Sequence, residues 1–469
     1  MKSGVRLSAA IGWSGFYTLA FGAVVGSGWV IFLGEWLRGA GPGGSVVGLL
    51  IGGSVMMLIG LCYGELASRS SVAGGEFLYV YETFGPQPAF WVGWVLTAYH
   101  VSVCGFEAIA LGWMLRALLP GIAVADAYSI AGAPVGWDAL AIGIFTALGI
   151  GIVHCRGAAA AIRFQNGVTF SFIAVSILLI CAGVSLGEVK NLRPLFVEGA
   201  GSSFTGILWA FSTAAFFLNG WQAALHAIEE RRADVSTRAV IFSIVCAIGC
   251  ATIFYCGIIF SSSMAVPWKT LISRELPAAA AFSALAGNDA LGMLVLAAAI
   301  VSLSKTWSAT VWIASRLLLA QARHGLMPPA LARIHQPSGA PRNAVLVVTG
   351  LTCLEVLLGR SAISPIVDML SVCSALCIIL CLLALLRRRG KEEKPPPFTV
   401  PGGRATILCA LAGASFMVGV AVLAPVLNGR GKDPIKWLLM CMWSGLGALV
   451  WYRMVRFRGT NGPQTARPD

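Results

Sequence analysis

Three residues near the middle of the first hydrophobic segment, Gly26, Ser27 and Gly28, have the composition of an anion-binding helix break. Glycine permits backbone conformations that interrupt a helix. Amides exposed at the start of the next helical segment attract a carboxylate, aided by the helix dipole. The same small residues also allow close packing of two helices. The residues alone give these two interpretations equal weight.

A second candidate is Lys305, which lies in the middle of the hydrophobic segment VSLSKTWSATVWIASR. An ionisable residue inside a membrane segment is energetically costly and is by default a functional candidate. Such a lysine could take up and release a proton. Its alternatives are a permanently paired lysine and a lysine whose ammonium group reaches the membrane interface.

Glu107 lies in the middle of the third hydrophobic segment, seven residues after His100 and roughly on the same helix face. Three roles for Glu107 carry similar weight: an ion pair with Lys305, binding of a substrate amine, or a place in a polar network. His100 is more often a hydrogen-bonded packing residue than a proton relay.

The composition indicates which elements position these residues. Of the 469 residues 57% are hydrophobic and 11% are charged, whereas about 25% are charged in a typical soluble domain. A soluble fold is therefore excluded, and we expect an all-α polytopic membrane protein. About twelve segments reach the roughly 20 apolar residues that cross a bilayer. The predicted spans are 12–37, 43–67, 88–119, 136–154, 162–186, 203–227, 239–262, 290–322, 343–358, 364–386, 404–427 and 435–457.

The net charge of +13 predicts the orientation of the chain in the membrane. With the N-terminus inside, about 22 Lys and Arg residues fall in cytoplasmic segments and about 10 fall outside. We therefore predict a multi-pass protein of the plasma (inner) membrane with cytoplasmic N- and C-termini and with the lipid bilayer, not nucleic acid, as its partner. No enzyme, cofactor or metal-binding motif is present in the sequence, so no cofactor, no metal and no catalytic residue are predicted.

Interruptions occur in the first and the sixth span, which contain Gly26 and Gly220 respectively. Breaks at corresponding places in two halves of a chain are typical of inverted-repeat transporters with a midplane binding site. We therefore predict a transporter core over residues 1–390, built from two five-helix repeats over about 12–186 and 203–386. Residues 391–469 would add two transmembrane helices and a short basic C-terminal tail.

Two further patterns concern architecture. The polar links from Arg69 to Gly85 and from Met264 to Gly287 are long enough for short helices. In the second span Gly44, Gly48 and Gly52 recur at four-residue spacing, which favours close approach of another helix backbone rather than contact with a substrate.

Five motifs resemble one membrane protein family when they are read in order: VVGSGWVIF, ELASRSSVAGGEFLYVYETFG, FWVGWVLTAY, FFLNGWQAALHAIEE and SRLLLAQARHGLMP. Together they look like the amino acid-polyamine-organocation (APC) superfamily of permeases, which have the LeuT-type fold. The resemblance covers most of residues 12–390. It implies two inverted five-helix repeats plus two extra helices, and an amino-acid or amine substrate held between spans 1, 3, 6, 8 and 10.

The resemblance also implies roles for single residues. The substrate carboxylate would meet the amides of Ser27 and Gly28. Its amino group would meet the carbonyls of Val24, Phe211 and Ser212.

Other positions match or depart from the family pattern. Phe216 matches the aromatic residue that closes over the substrate, which makes it the expected gate. Trp29 replaces a small aliphatic residue and would reshape the pocket if its ring points inward, and Gln222 stands where an acidic residue is common. The lysine that some proton-coupled members carry near Phe172 is missing. Lys305 lies where sodium-coupled relatives hold a cation, so its ammonium group could replace that ion.

We therefore predict a secondary active transporter that moves an amino acid by alternating access, with proton coupling or exchange. The alternatives are an exchanger of amines, polyamines or other organocations and, in another class, a solute sensor that does not transport. Lys305 and Gln222 favour a neutral or weakly anionic substrate, but a basic substrate fits if Glu107 faces the cavity. The sequence leaves the amino acid, the coupling ion and the oligomeric state open.

Overall fold

The computed structural model describes residues 7–70, 72–122, 124–130, 133–198, 202–390, 396–427 and 434–460. This part of the chain is almost entirely helical. Its α-helices, in chain order, are α1 Trp13–Val24, α2 Gly28–Ile31, α3 Leu33–Ser68, α4 Gly75–Phe84, α5 Pro86–Leu118, α6 Trp137–Cys155, α7 Ala158–Leu186, α8 Ser202–Phe217, α9 Ala223–His226, α10 Thr237–Ala265, α11 Pro277–Ala286, α12 Ala290–Arg323, α13 Arg342–Val356, α14 Gly359–Arg389, α15 Gly403–Leu427 and α16 Pro434–Thr460.

Short elements complete the described part. An antiparallel hairpin of β1 Asp126–Ile130 and β2 Ala133–Gly136 joins α5 to α6, in a link for which the sequence predicted no strand. The 3₁₀ turns are Pro120–Ile122, Val189–Leu192, Ile228–Glu230, Trp268–Thr270 and Pro329–Ala332.

All twelve predicted spans are helical, and eight helices in the described residues are long and apolar enough to cross a membrane. The prediction of an all-α polytopic membrane protein is therefore confirmed, as are the breaks in its first and sixth spans. The predicted basic C-terminal tail lies mostly outside the described residues, as do Lys2, Arg6, Lys391 and Lys394.

The boundary between the first two predicted spans lies at a kink. Within the range of α3 the helical conformation is interrupted at Gly41, where φ is +70°, just before Pro42, so that span 1 ends before this residue and span 2 begins after it. A β-carbon at Gly41 would also lie 2.9 Å from the Leu195 carbonyl oxygen, so glycine is required there. The two predicted links do contain short helices, namely α4 and α11.

The glycine-rich face of α3 packs against α8. A β-carbon added at Gly48 would lie 2.6 Å from the β-carbon of Ala210, and one added at Gly52 would lie 2.3 Å from that of Ala214. Both distances are too short for van der Waals contact. These glycines therefore set the spacing of the two helices, as their four-residue periodicity predicted.

We expect Gly52→Ala to lower the free energy of unfolding by about 1–3 kcal/mol, because its methyl group would overpack the contact with α8. Gly149→Ala in α6 is the matched control, since nothing lies within 4 Å of its added β-carbon. Thermal unfolding of both variants in the same detergent would compare them. Equal melting temperatures for the two variants would contradict the packing role.

Candidate substrate-binding site

The first helix break leaves a run of backbone amides without acceptors. The Val25 amide still donates to the Phe21 carbonyl at 3.1 Å, and the next helical bond runs from the Val30 amide to the Ser27 carbonyl at 3.0 Å. Between them, the Gly26 amide faces the Tyr255 hydroxyl, and the amides from Ser27 to Trp29 have no acceptor among the described residues. A helix start always leaves such donors unpaired, and here they point to a ligand with acceptor oxygens.

Hydroxyl groups of α12 satisfy the carbonyls at the end of α1. The Ser302 hydroxyl lies 3.0 Å from the Val25 carbonyl oxygen and 2.9 Å from that of Gly26. The Thr306 hydroxyl lies 2.8 Å from the Gly22 carbonyl oxygen and 3.0 Å from that of Val25. Ser302 and Thr306 are four residues apart and so share one face of α12. This face compensates the hydrogen bonds that the helix break removes.

Lys305, next to Thr306 on α12, also contacts the carbonyls at the end of α1. Its ammonium group donates to the Val25 carbonyl and lies 3.4 Å from the Gly22 carbonyl oxygen. The ring of Phe172 lies 4.6 Å from the ammonium nitrogen and that of Phe21 lies 5.6 Å from it. Lys305 is fully buried. A cation at the C-terminal end of a half-helix is stabilised by the helix dipole and by the faces of aromatic rings.

The second break follows the end of α8 and touches the first. Gly220 has a φ of +107°, and a β-carbon there would lie 2.7 Å from the Ala23 carbonyl oxygen. Gln222 bridges the break, because its Oε1 accepts from the Gly220 amide at 3.0 Å and its Nε2 donates to Asn219 Oδ1 at 2.8 Å. The glutamine that departs from the family pattern thus holds the local backbone conformation.

A cavity of about 250 Å³ lies between the two breaks. Typical ligand pockets measure roughly 300–1,000 Å³, so this cavity suits a small solute. Its lining comes from α1, α2, α5, α8, α10 and α12 and from the two breaks. The lining residues are Ala23, Val24, Gly26, Ser27, Gly28, Phe32, Tyr99, His100, Val103, Phe106, Glu107, Phe216, Phe217, Asn219, Gly220, Tyr255, Thr306, Thr310 and Ile313.

Glu107 is the one carboxylate in this lining, which contains no Lys or Arg. The side chain is 4% exposed, and a β-carbon at Gly26 would lie 3.0 Å from its Oε1. Oε2 is buried and has no hydrogen-bond partner. Among the described side chains no ion pair joins Glu107 to Lys305, whose ammonium group is directed at α1 instead. The carboxylate is therefore available to a ligand that carries a hydrogen-bond donor.

Seven of the eleven residues predicted for the site line the cavity: Val24, Gly26, Ser27, Gly28, Glu107, Phe216 and Gly220. Trp29, Phe211, Ser212 and Lys305 do not. Trp29 is fully buried against the rings of Phe172 and Phe254, whose centroids lie 6.1 and 5.7 Å away. Its ring thus packs against α7 and α10 and does not reshape the cavity.

Phe211 and Ser212 lie inside α8, which continues to Phe217. Their carbonyls are therefore positioned to accept helical hydrogen bonds and are not free for a substrate amine. The resemblance implied free carbonyls here, whereas the Ser212 hydroxyl bonds back to the Trp209 carbonyl at 2.7 Å and leaves the helix intact. The carbonyls without a backbone donor at this break include those of Phe217, Leu218 and Asn219.

Comparison with known proteins places this architecture in a family. The family model described as amino acid permease matches residues 11–449. The chain belongs to the amino acid permease family. It is 24% identical to a methylthioribose transporter of Bacillus subtilis (strain 168) over 450 residues. The aligned region covers 92% of this chain and 90% of that protein.

Two further relatives of this permease differ in the substrates for which they are named. Cationic amino acid transporter 7, chloroplastic, of Arabidopsis thaliana is 26% identical over 453 residues, or 93% of this chain and 74% of its own. A branched-chain amino acid permease of Bacillus subtilis (strain 168) is 23% identical over 412 residues, or 83% of this chain and 84% of its own.

Several residues that line the permease cavity were not predicted. The Phe217 ring, rather than that of Phe216, lies against the first break, where a β-carbon at Gly28 would approach it to 2.5 Å. On α5 the lining residues His100, Val103 and Glu107 follow a helical period. This period in the sequence indicates which face of α5 lines the cavity. No local signal in the sequence distinguishes Phe217 from the adjacent Phe216 on α8.

Buried ion pairs close one face of the permease below the cavity. Glu230 pairs with Arg316 of α12 at 2.8 Å, and both side chains are at most 1% exposed. The amides of Ala10 and Ile11 donate to the Glu230 carbonyl at 3.0 and 2.9 Å. Glu230 thus joins the N-terminal segment to α12 through Arg316 rather than through the adjacent Arg231, which makes this ion pair a candidate gate.

Glu229 forms the second part of this closure. It pairs with Arg323 at 2.6 Å and accepts from the amides of Leu7 at 3.2 Å and Ala73 at 3.0 Å. Burial opposes ionisation of this carboxyl group, but the hydrogen bonds from Arg323 and the two amides outweigh burial and hold its pKa below the usual range. The ionised carboxylate therefore ties the N-terminal segment and the link after α3 to α12.

Removing one partner of a buried ion pair leaves the other charge uncompensated, at a cost of about 3–5 kcal/mol. We therefore expect Glu230→Ala to favour the form in which this face is open. In a background without native cysteines, Thr310→Cys in the cavity should react faster with a membrane-impermeant maleimide in inside-out vesicles when Glu230 is replaced. Asp234→Ala, which breaks an exposed pair with Arg232, should leave the rate unchanged. A Glu230 variant that labels no faster would contradict the gate.

Proposed function

We propose that this protein is a secondary active transporter that moves an amino acid across the plasma membrane by alternating access. One observation carries this proposal: the Glu107 carboxylate, whose Oε2 has no hydrogen-bond partner, and the unpaired amides of Ser27 and Gly28 meet at the same small cavity. A carboxylate complements an ammonium group, and a run of amides complements a carboxylate. An amino acid carries both groups a few ångströms apart.

The charge of the lining favours a neutral or cationic amino acid. The sequence had favoured a neutral or weakly anionic substrate because Lys305 was expected near the cavity. Lys305 instead faces the carbonyls of α1, and Glu107 faces the cavity. An anionic side chain would therefore approach the Glu107 carboxylate in a lining that contains no Lys or Arg. An amine or polyamine without a carboxylate fits less well, because it would leave the amides of the first break unpaired.

Lys305 is the proposed coupling residue. Its ammonium group contacts the Gly22 and Val25 carbonyls, which also accept from the Thr306 hydroxyl. Carbonyl and hydroxyl oxygens of this kind also suit a metal cation. We infer that the ammonium group takes the place of a bound cation, and that its loss of a proton weakens the contact between α1 and α12. Uptake would then be coupled to protons. Exchange of solutes is the alternative.

The proposed architecture follows the two breaks. Residues 1–390 would form the transporter core, with inverted five-helix repeats over about 12–186 and 203–386, and residues 391–469 would add two helices and the basic tail. Both termini would be cytoplasmic, which places the closure by Glu229 and Glu230 on the cytoplasmic face. The relatives support transport rather than sensing, because their names describe transporters and permeases.

Counterflow into proteoliposomes tests the proposed function. We expect accumulation of neutral or cationic amino acids in a panel that also contains methylthioribose, glutamate and a polyamine. Glu107→Gln should raise the half-saturation concentration about tenfold or more, since a hydrogen bond to a charged group contributes about 1.5–3 kcal/mol. Glu35→Gln, in an exposed pair with Arg38, is the control and should behave as the parent. Counterflow of no amino acid would refute the proposal.

The coupling proposal has its own test. Uptake by the parent should increase with an inward proton gradient, whereas Lys305→Met should keep solute exchange but lose the response to the gradient. The reason is that methionine retains the length of the side chain but cannot carry a proton. Both proteins are measured over the same pH series. The same gradient dependence in both would show that Lys305 is not the coupling residue.

A further inference from the structure

The cavity extends along α5 from Glu107 to His100. These residues are seven positions apart, which corresponds to about 10.5 Å along a helix at 1.5 Å per residue. On the facing helix α12, Thr306, Thr310 and Ile313 line the same length at helical spacing. The cavity is thus longer than the contact that the amino and carboxylate groups of a substrate require.

His100 marks the far end of this cavity. The side chain is 6% exposed and lines the cavity. Neither ring nitrogen has a hydrogen-bond partner in the described part of the chain, and its nearest aromatic neighbour is Tyr99, with ring centroids 5.0 Å apart. An imidazole that lines a cavity and has no partner among the described residues is available to a ligand, so His100 is poorly explained as a packing residue.

Asn219, which lines the same cavity, differs from His100 in this respect. Its Nδ2 donates to the Ser374 hydroxyl at 3.2 Å, and its Oδ1 accepts from Gln222 at 2.8 Å. The amide group of Asn219 is therefore engaged by the protein, which leaves the imidazole of His100 as the unpaired hydrogen-bonding group at this end.

The wall between Glu107 and His100 is largely apolar. Val103 and Ile313 contribute aliphatic surface, and Phe106 contributes an aromatic ring. The Thr310 hydroxyl donates to the Thr306 carbonyl at 2.7 Å and so is already used. Methylene groups of a substrate would fit such a wall, with polar groups at both ends.

We propose that His100 forms a distal subsite for a polar group at the end of the substrate's side chain. Two hydrogen bonds of about 2.8 Å, one at each end, leave about 5 Å of the 10.5 Å for the solute. The preferred substrate is then an amino acid with an unbranched side chain of about three non-hydrogen atoms that ends in a hydrogen-bonding group. This inference rests on the proposed function, since it assumes that the amino group of the solute binds at Glu107.

2-Aminobutyrate and homoserine, which differ by one terminal hydroxyl group, provide a matched pair of substrates. In proteoliposomes with the full-length parent protein, the half-saturation concentration should be about tenfold lower for homoserine than for 2-aminobutyrate, because only the former pairs with His100. 2,4-Diaminobutyrate, measured beside them, shows whether a terminal charge adds to the effect.

Two variants test whether His100 causes the difference between the two substrates. His100→Leu should bring the two substrates to within about twofold of each other, and His100→Gln, which keeps a hydrogen-bonding group, should restore part of the preference. Melting temperatures verify folding.

The outcomes separate the two proposals. If the parent takes up both matched substrates with the same half-saturation concentration, the subsite proposal is wrong and the proposed transport function stands. Preference retained by a folded His100→Leu would also overturn it. Uptake of no amino acid by the parent would overturn both proposals. If His100→Leu does not fold, the preference of the parent and its change in His100→Gln decide the matter.

Discussion

The site depends on how the protein satisfies the carbonyl groups at the end of α1. The carbonyls of Gly22, Val25 and Gly26 lose their helical donors in the membrane interior, where an unpaired backbone group costs several kcal/mol. Two hydroxyl groups and one ammonium group of α12 replace those donors. Because the carbonyl side of the break is satisfied by the protein, its amide side can remain available for a ligand.

A second constraint is the close approach of the two breaks. Gly220 lies against the Ala23 carbonyl, and Gly28 lies against the ring of Phe217. A side chain at either glycine would separate the half-helices and enlarge or distort the cavity between them. The small volume of the cavity is therefore a consequence of glycine at both breaks, and it limits the solute to about the size of an amino acid.

Much of this arrangement could be predicted because its signals are local. Gly26 and Gly220 stand out in apolar segments, and the intramembrane positions of Glu107 and Lys305 are unusual in any membrane protein. The free carbonyls that the family resemblance implied at Phe211 and Ser212 lie inside α8, where the Ser212 hydroxyl bonds within its own helix. Side-chain hydroxyls that bond back in this way cannot be told from helix-breaking residues by composition alone.

The sequence by itself determined the class of the protein, its helical segments, the two breaks and the charged residues of the membrane interior. These follow from hydrophobicity, glycine placement and the energetic cost of charge in a bilayer. Only the tertiary structure decided that Lys305 faces α1, that Glu107 lines the cavity with Oε2 free of hydrogen bonds and that Trp29 packs away from the cavity. The direction of a side chain depends on how each helix is rotated against its neighbours, and that rotation is set by packing between segments distant in sequence.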